Sequence, residues 1–423
     1  MRVLIDGAYR GLTQGTGIST YARTLAATLT QLGHDVHWLS GAHAAGKPDP
    51  MSDAVHAADE RPDLSGPRNY LQTALNMATG LLRPSVRAQK LELDGSIQGR
   101  SAGPPLETTL LAPNLFVHAH YRHMLLRQFT EVRTDGQEDV LHLTAPLPVR
   151  MKGVKTVVTI HDLIPICLPY TTPDNKREFI DRVRTSVENA DLIITVSDAS
   201  KQEMVNLLQV NPARIAVTWQ PSDIEPLTDP ERAALPRTLA RFGLEADRYG
   251  LFVGAIEPKK NVRRLIDAFL DSHDTMPLVL VGPKAWKWEG EIGDLDQRLG
   301  ETAHKRIRIL GHVPHDDLRR LFAGARLLAF PSLREGFGLP VLEAMRMGCP
   351  VVTSHAGGLA EVAGNAAVIV DPLETDSIRH GITRLIEDDA LHANLRAAGH
   401  AQALRFSSEA YLDQLAAAYA RLA

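Results

Sequence analysis

The feature that most restricts the fold is a rhythm along the 423 residues: short runs of Val, Ile and Leu alternate with stretches of helical periodicity. The clearest runs in the first half are Val3 to Ile5, Thr156 to Ile160, Leu192 to Val196 and Arg214 to Trp219. The second half carries Leu251 to Val253, Leu278 to Val281, Ile307 to Leu310, Leu327 to Phe330, Val351 to Thr353 and Ala367 to Val370. Runs that are continuously apolar, rather than alternating, are buried on both faces, as in a parallel sheet covered by helices. The alternation therefore predicts an α/β chain built of βα units. At about 150 residues per domain, the length predicts two to three domains.

Pro221, Pro226, Pro230 and Pro236 crowd the stretch between the two series, which reads as a connection with at most one short helix. The expected organisation is residues 1–225 as an N-terminal domain and 226–248 as a linker. Residues 249–405 are expected to form a C-terminal domain, and 406–423 a helix packing back on the first domain. Two doubly wound parallel-sheet domains would then face each other across a cleft. Residues 42–113 break the rhythm and read as an irregular insertion, with Tyr70 to Leu82 as a helical piece. From Arg61 to Arg133 there are 9 Lys+Arg against 5 Asp+Glu. That excess fits a solvated insertion or a surface for an anionic acceptor or membrane.

Composition removes several classes. The chain is 44% hydrophobic, so it can bury substantial cores. Its net charge of -4 and 5% aromatic content argue against nucleic acid held by bulk charge or base stacking. Two distant cysteines, Cys167 and Cys349, exclude a disulfide framework and a cysteine-rich zinc site. The N-terminal run Met1 to Gly7 reads as a strand and a turn, not a signal peptide. A cytoplasmic location is expected, with peripheral contact at the inner face of the plasma membrane left open.

Four segments carry chemistry. The glycine-rich turn Gly11 to Ser19, with Gly15 and Gly17, lies between the first strand and a helical pattern, where backbone amides approach an anion. His161-Asp162 follows a strand directly, and open α/β sheets bind ligands beyond the carboxyl ends of strands. Gly254 to Asn261 places Lys259 and Lys260 before a helix, which suits a diphosphate. Pro331 to Met345 joins Glu335, Gly336, Gly338, Pro340 and Glu343 at a strand–helix junction. There Gly336 and Gly338 allow a tight turn with bare amides, and Glu343 is expected in the first helical turn. Two carboxylates so spaced can grip two sets of hydroxyls, those of a sugar and of a ribose.

On these residues the chain resembles retaining glycosyltransferases of family 4, which have the GT-B fold. Glu335 to Glu343 matches that family's pair of glutamates separated by seven residues, with Gly-Phe-Gly-Leu-Pro between them. Thr159 to Pro165 is similar to the branch that includes bacterial polysaccharide mannosyltransferases. The resemblance implies catalytic roles for Glu335 at the transferred sugar, His161 near its primary hydroxyl and Lys260 at the diphosphate. It implies donor binding by Gly17, Lys259, the amides of Phe337, Gly338 and Leu339, the ribose-binding Glu343, and Gly311, His312 and Val313 beside the base. Ala255 stands where many members carry arginine, and Ser19 where the loop often reads Gly-Ile-Gly.

The reading is transfer of a hexose from a nucleotide sugar to a saccharide hydroxyl with retention. The best donor is GDP-mannose, and a UDP- or dTDP-sugar is the alternative. The acceptor implied is a lipid-linked saccharide of cell-surface polysaccharide or lipopolysaccharide assembly. No Asp-x-Asp metal clamp stands out, and neither a metal nor a separate cofactor is expected. The acceptor would attack from the leaving-group face, rather than after double displacement through Glu335. A nucleotide-sugar epimerase or hydrolase and a non-catalytic sugar-nucleotide scaffold are the competing classes. A Rossmann dehydrogenase is the weakest, for want of Gly-x-Gly-x-x-Gly after the first strand.

Overall fold

The computed structural model describes residues 1–8, 17–41, 78–80, 82–90, 108–272, 275–295 and 306–422. The strands before residue 218 are β1 (Arg2–Asp6), β2 (Asp35–Ser40), β3 (Ser85–Arg87), β4 (Gln89–Lys90), β5 (Thr109–Leu111) and β6 (Thr130–Arg133). They continue with β7 (Val140–Leu143), β8 (Val149–Arg150), β9 (Lys155–Thr159), β10 (Leu192–Thr195) and β11 (Ile215–Val217). Eight form one sheet in the order β11-β10-β9-β7-β1-β2-β5-β4. Every pair from β11 to β5 is parallel, and β4 adds antiparallel at the edge. The chain builds outward from β1 in one direction and from β7 in the other, so the order reverses between β1 and β7.

The second sheet holds β12 (Gly250–Val253), β13 (Leu278–Val281), β14 (Ile307–Gly311), β15 (Leu327–Phe330), β16 (Val351–Thr353) and β17 (Val368–Ile369). Its order, β14-β13-β12-β15-β16-β17, is the doubly wound pattern, all parallel, reversing between β12 and β15. Crossovers through helices place the loops after these two strands on either side of one crevice.

Burial explains the continuous apolar runs. In the first sheet Leu4, Leu141, Val158 and Ile193 face one core, while Val3, Ile5, Val140, Val157 and Ile194 face another. The described part of residues 42–113 contributes strands. It supplies β5 to the parallel sheet, β4 to its edge, and β3 to a small sheet with β6 and β8. Residues 42–77, 81 and 91–107 lie outside the described residues, and with them most of the helix expected at Tyr70 to Leu82. The connection between the sheets carries a helix, Asp229–Ala240, whose start is capped by Glu231 accepting from the Thr228 amide at 2.9 Å.

The helix Ser408–Tyr419 lies on the first sheet, not the second. Tyr411, Leu415, Ala418 and Tyr419 join the core formed by Val3, Ile5, Leu25 and Trp38. Its tip is fixed by a buried polar pair, the Tyr419 hydroxyl and His142 Nδ1 at 2.6 Å. His142 Nε2 lies 2.9 Å from Thr159 Oγ1, so this mid-strand histidine is bonded at both ring nitrogens. Burial holds its pKa down at about 3, so the ring is neutral.

The two sheets are also joined by polar contacts. The Glu361 carboxylate accepts from the amides of Asp198 and Ala199 at 3.0 and 2.7 Å. Those amides open the helix Asp198–Leu208, so an anion of one unit satisfies free donors of the other. Trp219 Nε1 donates to the same carboxylate at 3.2 Å. No described helix is long and apolar enough to cross a membrane.

Leu415 is fully buried. Leu415→Ala should cost about 2–5 kcal/mol. Urea unfolding followed by circular dichroism should show a lower midpoint with little change in slope.

Candidate active site

In an open parallel sheet the crevice at the strand-order reversal is where ligands sit. Here the loops after β12 and β15 flank that crevice, and each delivers one charged side chain. Lys260 comes from the first and Glu335 from the second. Lys260 Nζ donates to Glu335 Oε1 at 2.7 Å, and the two side chains are only 13% and 11% exposed. The ammonium also lies 4.9 Å from the centroid of the Phe330 ring. An ammonium has three donors, so one carboxylate leaves it capacity for further acceptors.

The loops are fixed by backbone and amide bonds. Pro258–Lys260 makes a 3-10 turn, and Asn261 follows in the left-handed region, φ 59°, ahead of the helix Val262–Leu270. Asparagine tolerates that conformation. Its side-chain amide donates to the carbonyls of Pro331 and Pro372 at 3.1 and 2.7 Å. The Leu333 amide donates to the Lys259 carbonyl at 2.8 Å. Lys259 itself pairs with Glu257 at 3.3 Å. Burial works against its charge, but Glu335, Glu257 and Asp162 outweigh that and hold its pKa above the ordinary lysine value.

Gly338 has φ 119°, a conformation that favours glycine, and it opens the helix Leu339–Arg346. Among the described residues the amides of Phe337, Gly338 and Leu339 donate to no acceptor. Three free N–H groups at a helix start form an anion cradle. The Phe337 ring turns inward against Phe406, with centroids 5.5 Å apart, so only its backbone is available here.

Glu343 is not in the first helical turn as the sequence suggested. The helix starts at Leu339, and its first turn holds no acidic residue. Glu343 stands one turn further in, too far to gain from the helix start. Burial, with a smaller push from the Asp223 charge, raises its pKa to about 7.

The other unit meets this loop closely at Gly336. A Cβ on Gly336 would lie 2.7 Å from the His161 carbonyl oxygen and 3.1 Å from the Asp162 Cβ, so no larger residue fits without moving the units apart. His161 Nε2 donates to the Thr144 carbonyl at 2.9 Å. The Tyr21 ring packs edge-on against it, at 4.8 Å and 87°. Burial lowers the His161 pKa, opposed by Asp162 and the Thr144 bond, so a neutral ring is favoured. Gly311, with φ 66°, ends β14; the exposed His312 follows it, and Val313 is buried. Gly17 is the exposed first residue of the helix Gly17–Gln31. Residues 9–16, including the rest of the glycine-rich turn, lie outside the described residues.

Two partners had no local signal. Arg334 Nε and a terminal nitrogen donate to Glu203 Oε1 of the other unit at 2.8 and 2.6 Å. Thr144, which orients His161, lies between unremarkable residues. Both depend on strand order, which brings distant loops together.

The family described as Glycosyl transferases group 1 matches residues 240–402, and the Glycosyl transferase 4-like domain matches residues 16–218. The chain is 36% identical over 278 residues to the O-antigen chain mannosyltransferase B of Escherichia coli, covering 64% of this chain and 71% of that protein. This chain belongs to the group 1 glycosyltransferase family.

Another relative of this glycosyltransferase, the serotype-specific mannosyltransferase WbdA of Escherichia coli, is 30% identical over 279 residues. That match covers 62% of this chain but only 33% of WbdA. Among solved structures, sucrose-phosphate synthase from Thermosynechococcus elongatus superposes with a TM-score of 0.67 at 17% identity, covering 100% of this chain and 99% of that one. HepE from Anabaena, in complex with UDP and glucose, gives 0.64 at 18% identity and 99% of each chain. The glycosyltransferase has the GT-B fold, two Rossmann-like parallel-sheet units.

The Glu343 carboxyl has a folded pKa of about 7, raised from the usual carboxylate range near 4.3. Stability from its protonated form is full below that range and lost as pH rises through about 7. Glu343→Gln should therefore gain in thermal midpoint relative to the parent as pH goes from 5 to 8. A gap that stays flat or shrinks would contradict the burial argument.

Proposed function

We propose that this glycosyltransferase moves mannose from GDP-mannose to a hydroxyl of a lipid-linked saccharide, with retention and without a metal. The observation that carries the reading is the Lys260–Glu335 pair at the crevice of the second sheet, beside three free amides. When the bond from sugar to diphosphate breaks, negative charge grows on the leaving oxygens. Lys260, Lys259 and the amides of Phe337 to Leu339 supply preorganised positive charge for it. Glu335 then faces the sugar, whose ring carbon becomes oxocarbenium-like, and the acceptor attacks from the leaving-group face. Glu343 takes the ribose hydroxyls, Gly311 to Val313 the base, Gly17 the diphosphate and His161 the sugar's primary hydroxyl.

Mannose and the setting in cell-surface polysaccharide assembly are supported by the 36% identity to the O-antigen chain mannosyltransferase B. Contact with the inner membrane face belongs to the same proposal, because a lipid-linked acceptor is presented there. The sugar-transfer chemistry asks for a dry cleft, since water competes with the acceptor. The contacts Arg334–Glu203 and Gly336–His161 close the two units around such a site.

A thermal-shift screen against GDP-mannose, UDP-glucose and dTDP-glucose, with and without EDTA, tests the donor. The expected result is a selective rise with GDP-mannose that EDTA leaves in place. A larger rise with another sugar nucleotide replaces the donor, and loss in EDTA ends the metal-free reading. Lys260→Ala should lower kcat on the order of 10²–10³-fold with the fold intact. Unchanged turnover in that variant would remove Lys260 from the mechanism.

A further inference from the structure

Asp6 is a buried carboxylate that the mechanism above does not use. It ends β1 and is 1% exposed. An acid there is costly unless its oxygens are hydrogen-bonded. Both are: Oδ1 accepts from the Ala8 amide at 3.2 Å, and Oδ2 from the Thr144 amide. Burial still pushes its pKa up to about 6, against the lowering effect of the Thr144 and Ala8 bonds.

The position of Asp6 gives these bonds meaning. β1 and β7 are the strands between which the first sheet reverses order, so their following loops flank its crevice. Asp6 ties those two loops together. On one side, through Ala8, it holds the start of the segment leading to Gly17. On the other it holds the backbone N–H of Thr144, and the carbonyl of the same residue, in the next peptide unit, accepts the His161 Nε2–H at 2.9 Å. A bond at Nε2 selects one tautomer of a neutral imidazole and leaves Nδ1 as its acceptor. Among the described residues Nδ1 has no partner. The second support of the ring, Tyr21, is held from behind by Thr159 Oγ1 at 2.9 Å.

We propose that Asp6 is a positioning residue for sugar transfer, acting through Thr144 to fix the tautomer and orientation of His161. This rests on the reading of His161 as a sugar-contacting residue. A carboxylate is required because two backbone N–H groups need acceptors at once. Asparagine has the same shape but offers one acceptor and one donor, so either Thr144 or Ala8 would face an N–H. The Thr144 carbonyl would then shift relative to the ring. Misplacement of a reacting group by about 1 Å costs about 10²-fold in rate.

The test compares Asp6→Asn with the parent chain and His161→Ala. Tautomer is read by NMR of protein labelled with ¹³C,¹⁵N-histidine, and the His161 signals are identified by their loss in His161→Ala. Donor KM and kcat are measured with the best sugar nucleotide and a saccharide acceptor. The expected result is a folded Asp6→Asn with donor KM near that of the parent, kcat about 10²-fold lower and the His161 signals moved away from the Nε2–H form. Asp6→Asn with parent-like kcat, or with reduced kcat but an unchanged His161 tautomer, overturns the proposal. His161→Ala with full activity overturns instead the reading of His161 on which it rests. If Asp6→Asn does not fold, Asp6→Glu, which keeps the charge but displaces the oxygens, is judged by the same two readouts.

Discussion

A lysine ammonium and a glutamate carboxylate, nearly closed off from water, need each other. Either alone would be an uncompensated buried charge and would cost several kcal/mol. In this protein the pair also spans the place where the second sheet reverses strand order, so the loops after β12 and β15 are held at a fixed separation. Asn261 adds the same constraint in neutral form, reaching from the lysine loop to the carbonyls of Pro331 and Pro372. With both loops pinned, Gly338 can turn sharply and present the free amides at the start of the next helix. Charge, turn and helix start therefore form one unit, and the rest of the second sheet serves to align its strand ends.

The facing unit follows the same plan with different chemistry. At its own strand-order reversal a carboxylate, Asp6, binds two backbone amides, and a histidine receives its orientation from a carbonyl. One side of the cleft is thus charged and suited to an anion. The other presents a histidine ring oriented by a backbone carbonyl, which suits hydroxyl groups. Among the contacts where the units meet are the Gly336 backbone against the His161 carbonyl and the Glu361 carboxylate at a helix start.

Much of this was legible from residue order. The strands of the second sheet could be read because each is buried on both faces, which leaves an unbroken apolar run. β7 could not, because its centre is His142, and a histidine in a short run reads as surface until Tyr419 and Thr159 are seen to satisfy it. The glutamate pair was visible, but the place of Glu343 along its helix was not: the chain enters helix at Leu339, one residue before the proline taken as its start. Asp6 gave no signal, since a strand ending in aspartate is ordinary. Its partner Thr144 lies 138 residues away in sequence.

The helix Ser408–Tyr419 has a consequence for how the protein is made. It completes the apolar core of a sheet whose strands are translated far earlier, and the bond from His142 to Tyr419 joins residues 277 apart. While the intervening chain is still on the ribosome, Val3, Ile5, Leu25 and Trp38 have no lid. The early half waits with an oily face uncovered, the kind of exposed apolar surface that favours aggregation. The core of the first sheet closes only when that late helix has emerged.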